Sequence, residues 1–155
     1  MTSEQLSALG TLERHCNSIG SIRAKPRSIM SPTEQGANMD PLQPSIIDSW
    51  HAHVYFEASS REAAWALRET INVELAGRMQ MGRFHEKPVG PHPMSSYQLA
   101  IPAENFSQVV GWLTLNHGAL DVFVHPNTGD ELRDHRDCAI WLGKSHALNL
   151  AALNG

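Results

Sequence analysis

Nine histidines stand in a chain of 155 residues, and eight of them follow residue 50. Imidazole is the commonest transition-metal ligand and takes up or releases a proton near neutral pH. His51 and His53 are separated by one residue in the run Trp50 to Phe56 (WHAHVYF), and His125 closes the run Leu120 to His125 (LDVFVH). Imidazoles brought together from such distant segments can bind a transition ion. Scattered over a wet surface, they are only a compositional surplus. Position decides between the two, so the elements that carry these residues come next.

Trp50 to Phe56 alternates and is rich in aromatic and β-favouring residues, which predicts a strand. Ser59 or Ser60 can cap a following helix, in which Ala63, Ala64, Leu67, Ile71 and Leu75 recur at helical spacing before Gly77 stops it. Arg78 to His85 predicts a second strand. Three prolines and a glycine make Glu86 to Ser95 a loop. Ser96 to Ile101 predicts a third strand. A second helix carries Phe106, Val109, Val110, Leu113 and Leu115 and ends at Gly118. Leu120 to His125 is a fourth strand, Pro126 to Gly129 a turn, and Cys138 to Leu142 a short fifth strand after a helical or irregular stretch.

The order βαββαβ predicts an α+β domain of ferredoxin-like type, an antiparallel sheet with two helices on one face. The first strand then lies between the third and fourth. Alternation puts Ala52, Val54 and Phe56 on one face with Leu120, Val122, Val124, Tyr97, Leu99 and Ile101, against the helices. The opposite face receives His51, His53, Tyr55, Ser96, Gln98, Ala100, Asp121, Phe123 and His125. Antiparallel pairing of the first and fourth strands brings His51 and His53 near His125. In this topology the loop that carries His92 lies toward the far end of the first strand. Whether one chain brings His92 to His125, or a dimer packed face on face does so, stays open on the sequence. His117 at a helix end suits the helix dipole. His15, His135 and His146 are expected at the surface, with a supporting place beside the site the alternative for His135. Trp65 and Trp112 are expected in the core, and Trp141 over the core or a partner surface.

Composition narrows the classes. A net charge of -4 without a basic patch argues against nucleic acid as partner. No apolar run approaches the roughly 18 residues of a membrane span, so no membrane partner is expected. Hydrophobic residues make up 41% and charged residues 18% of the chain, ordinary for a soluble domain. Two distant cysteines, Cys16 and Cys138, and the lack of a secretory pattern fit a reducing cytoplasm. Residues 1–45 are rich in Ser, Pro, Gly, Asn and Gln from Ser18 onward and are expected to be a flexible extension. Residues 46–155 are expected to form the folded domain.

Three segments together, WHAHVYF (Trp50 to Phe56), GRFHEKPVGPHPMSSYQLAI (Gly82 to Ile101) and LDVFVHPNTGDELRDHRDCAIWLG (Leu120 to Gly143), resemble the DOPA 4,5-dioxygenase family. The resemblance covers nearly all of residues 47–143. It implies a ferredoxin-like fold, a homodimer, and extradiol cleavage of a catechol such as DOPA by O2 at a non-haem metal. Fe(II) is the metal expected, another divalent ion the alternative. The histidines that match the family are His53, His85, His92, His125 and His135. On this reading His53 and His125 hold the metal, with His51 or, in its place, His92. Asp121 is a carboxylate on the same face. His85 or His92 handles protons, Tyr55 and Phe123 line an aromatic slot beside Gln98, and Arg83 meets a substrate carboxylate. Two other readings stand beside it. One is a dimeric module that binds a metal or small ligand without turnover, and the other a cofactor-free oxygenase.

Overall fold

A two-residue repeat of apolar side chains marks the strands, and the fold follows from burying one side of each. The structure, a computed structural model, describes residues 40–153. Most of the expected N-terminal extension, residues 1–39, lies outside the described residues. The strands are β1 (Ser49–Phe56), β2 (Gln80–His85), β3 (Ser95–Pro102), β4 (Asp121–Asn127) and β5 (Ile140–Leu142). The helices are α1 (Arg61–Glu74), α2 (Phe106–Asn116) and the short α3 (Glu131–Arg136).

All five strands form one antiparallel sheet in the order β2-β3-β1-β4-β5. β1 therefore lies between β3 and β4, as the βαββαβ order predicted. Ala52, Val54, Phe56, Tyr97, Leu99, Ile101, Val122 and Val124 meet Ala64, Ile71 and Leu75 around α1 and Val109, Val110 and Leu113 of α2 in one buried core. Ser60 occupies the N-cap of α1, and Gly77, at φ 74°, turns the chain beyond that helix in a backbone region costly to other residues. Trp65, expected in the core, is 42% exposed. It lies against the edge of Phe84 and under the Arg68 guanidinium, because its helical position faces the margin of the sheet.

β2 carries an irregularity that matters for the opposite face. Met81 pairs with Leu99 and Phe84 with Tyr97, so Gly82 and Arg83 together oppose Gln98 alone. This is a β-bulge, which re-aims side chains. A Cβ at position 82 would meet the Gln98 carbonyl oxygen at 3.0 Å, so the tight approach favours glycine. The Arg68 side chain donates to the Gly82 carbonyl at 3.2 Å and ties the bulge to α1. No helix among the described residues is long and apolar enough to cross a membrane.

Candidate metal centre

On the sheet face away from α1 and α2, register alone sets the neighbours. His51 stands opposite His125 on β4 and Ala100 on β3. His53 stands opposite Phe123 and Gln98, and Tyr55 opposite Asp121 and Ser96. Paired residues of antiparallel strands share a face, so all of these side chains rise on one side. One ring nitrogen each from His51, His53 and His125 lies within 4.8 Å of the other two. The Nε2 atoms of His53 and His125 are 3.4 Å apart.

This face is not bare. His53 is 5% exposed and His125 1%, while His51 is half-buried at the rim. The cover comes from the chain after β4 and from the loop before β3. Asp130 caps α3 by accepting the Arg133 N–H at 3.0 Å. The buried Asp134 accepts the Thr128 N–H at 2.8 Å and its hydroxyl at 2.7 Å, fixing the turn out of β4. The next residue, His135, lays its ring 3.9 Å from that of His125. From the other side, His92 places its ring 3.9 Å from His53 and its Nδ1 2.7 Å from the Tyr55 hydroxyl. The Asn149 N–H donates to the Pro91 carbonyl at 2.8 Å, so the C-terminal segment braces that loop. Trp141, opposite Phe123 on β5, packs on Phe123 at 4.8 Å.

Burial sets the protonation of the cluster. It holds His92 down at about 4, with a smaller contribution from His135. It holds His125 down at about 3, again helped by His135. His53 is lowered well below its ordinary value, first by burial and then by His92, and His51 is lowered by burial and His135. Neutral imidazoles at pH 7 are the form that binds metals. The His125 Nδ1–H donates to the Pro126 carbonyl at 2.9 Å, which leaves its Nε2 lone pair facing His53. Three neutral nitrogen donors in one buried patch therefore fit a transition ion.

His51, His53, His125 and Phe123 meet on one face, with Gln98 half-buried beside His53. His92 reaches the cluster within one chain, a point the sequence left open between one chain and a second copy, because the loop folds back over the sheet. Tyr55 is on the face but only 2% exposed. Arg83 is exposed at the bulge. His85 pairs with Ser96 at the edge strand, two strands from β1, and has no ring contact with the cluster among the described residues. Asp121 does not join the three rings among the described residues. Its carboxylate accepts the Lys144 N–H at 2.7 Å and His146 Nε2–H at 2.7 Å. Partial burial pushes that carboxyl up, but these two hydrogen bonds prevail and hold it below its ordinary value. His146, expected at the surface, is thus half-buried and anchors the tail. His135, for which a place beside the site was the alternative to the surface, is part of the cluster. The signal for it was Asp130, which can cap a short helix that turns His135 back over the strand end.

The sequence profile of the Dopa 4,5-dioxygenase family matches residues 50–152. The chain is similar to a DOPA 4,5-dioxygenase of Amanita muscaria, 36% identical over 83% of this chain and 59% of that protein. It thus spans under two thirds of that relative's length. A 21.2 kDa protein of Botryotinia fuckeliana without an assigned function is 31% identical over 96% of this chain and 85% of its own. A crystal structure of a proposed dioxygenase of Nostoc punctiforme superposes with a TM-score of 0.69 at 43% identity, covering 74% of this chain and 97% of that one.

Proposed function

The chain belongs to the Dopa 4,5-dioxygenase family, and from that premise we propose that it is a metal-dependent extradiol dioxygenase opening the ring of a catechol such as DOPA with O2. The observation that carries this reading is the group of three imidazole donors, two buried and one half-buried, within 4.8 Å of one another. His51, His53 and His125 would hold the ion, non-haem Fe(II) for preference. When bound, such an ion supplies open coordination positions and one-electron redox chemistry.

The chain's own side chains do the rest. Phe123 and Tyr55 give the site aromatic walls, and Trp141 closes it from the β5 side. Arg83 and Gln98 stand at the open β2–β3 side, where a carboxylate can be met by a guanidinium fork and an amide. His92, against His53, is the group placed to exchange a proton with a bound catechol oxygen, and His85 at the β2 end is the more distant candidate. The strand order, with both long helices on one face, supports the ferredoxin-like reading of the fold. A homodimer is the expected assembly, and sedimentation at several concentrations tests it. The domain is expected to start near residue 46, with the preceding residues as a flexible extension and the cytoplasm as its location.

Reconstitution with Fe(II) under anaerobic conditions, metal analysis, and admission of O2 with a panel of catechols form the test. The expected outcome is bound iron, O2 uptake and a yellow ring-opened product. Tight catechol binding without consumption would instead indicate a non-catalytic binding module. Turnover that survives a chelator would indicate cofactor-free chemistry.

A further inference from the structure

The histidines of the cluster differ in what their outer nitrogen touches. The Nδ1 of His125 faces the Pro126 carbonyl at 2.9 Å, and the Nδ1 of His135 faces the Glu131 carbonyl at 2.8 Å. A carbonyl only accepts, so in both rings Nδ1 carries the hydrogen and Nε2 presents a lone pair. His92 is unlike them. Its Nδ1 lies 2.7 Å from a hydroxyl, that of Tyr55, which can donate or accept.

Burial decides between the two. Tyr55 is 2% exposed, and among the described residues its hydroxyl has no hydrogen-bond partner other than His92. If His92 Nδ1–H donated, the phenolic hydrogen would be buried with no acceptor among the described residues, which is costly. If the phenol donates, its hydrogen and the His92 Nδ1 lone pair are paired, and the His92 hydrogen sits on Nε2, which is not among the fully buried atoms without a partner. We propose that Tyr55 is a positioning residue that donates to His92 Nδ1, so that His92, unlike His125 and His135, carries its hydrogen on Nε2.

The consequence is a division of labour among rings of one residue type. His125 and His135 present lone pairs, which suit an ion or an incoming proton. His92 presents an N–H on the edge turned away from Tyr55, which suits a negatively charged substrate oxygen and disfavours ligation through Nε2. The loop is held for this by the Asn149–Pro91 hydrogen bond. Tyr55 thereby acts through His92 rather than as a wall alone. The tautomer of His92 does not depend on the proposed function, and the kinetic consequence alone rests on it.

Long-range 1H–15N correlation spectra of labelled protein, metal-free and Zn(II)-loaded, report which nitrogen of each ring is protonated. In the wild type His92 is expected in the Nε2–H form, and His125 and His135 in the Nδ1–H form. Tyr55→Phe should remove the single-tautomer pattern of His92 and leave those of His125 and His135 intact. In Fe(II)-loaded protein it should lower kcat about ten- to a hundredfold, with KM and metal content near wild type. Wild-type His92 found as Nδ1–H, or an unchanged His92 pattern in Tyr55→Phe, overturns the proposal. The wild-type spectrum decides alone if the variant does not fold. A wild type that turns over no catechol yet shows the expected tautomers would defeat the proposed function and leave this inference standing.

Discussion

His125 is the side chain on which the cluster converges. It is 1% exposed, stands opposite His51, and points Nε2 at His53. His125→Ala should therefore abolish metal retention, read by metal analysis after desalting, and wild-type metal content would remove it from the ligand set. Acid sensitivity follows from the same burial. Folded His92 titrates at about 4 and His125 at about 3, against an ordinary value of 6.5. Between those values the unfolded chain binds more protons, so stability rises with pH there. The metal-free protein should hold its full stability above about pH 6.5 and lose it as pH falls toward the folded values. Urea midpoints across that window check this, and a midpoint that does not fall would contradict it.

At the scale of elements, short pieces do the placing. α3 has one and a half turns, too short to persist unaided, yet it sets His135 over His125. The buried Asp134 carboxylate holds it to Thr128. Asp134→Ala should lower stability by about 1–3 kcal/mol by leaving the half-buried Thr128 N–H and hydroxyl unpaired, measured as a shift in urea midpoint. Behind β5, Gly143 has φ 86°, and a Cβ there would strike the Asp121 carboxylate. Gly143→Ala should cost about 1–3 kcal/mol. A melting temperature equal to wild type would show that the tail adjusts freely. The strands and long helices were legible from alternation and helical spacing, and so was the membership of each sheet face. α3 was not, because six residues with one cap carry too little periodicity to separate helix from loop.

Across the whole domain, residues far apart in the chain close the site together. The segment after β5 is pinned at Asp121 by Lys144 and His146 and reaches Pro91 through Asn149. It links β4 to the loop of His92. Removing residues 145–155 should raise hydrogen exchange in the 86–94 loop and lower turnover while the core strands stay protected. Unchanged protection of that loop would show that Tyr55 alone holds it. Whether His92 joins the site from one chain or from a second copy was decided at this scale, since strand topology says where a loop starts but not how far it folds back.

The sequence by itself determined which side chains share a face. A period of two in the strands and the need to bury Ala52, Val54, Phe56, Val122 and Val124 leave His51, His53 and His125 no other side. Tertiary structure alone decided what closes over that face and what each ring touches. Those contacts depend on the paths of a proline-rich loop, a six-residue helix and a tail, where backbone hydrogen bonds and single side-chain anchors, not periodic burial, fix the course of the chain.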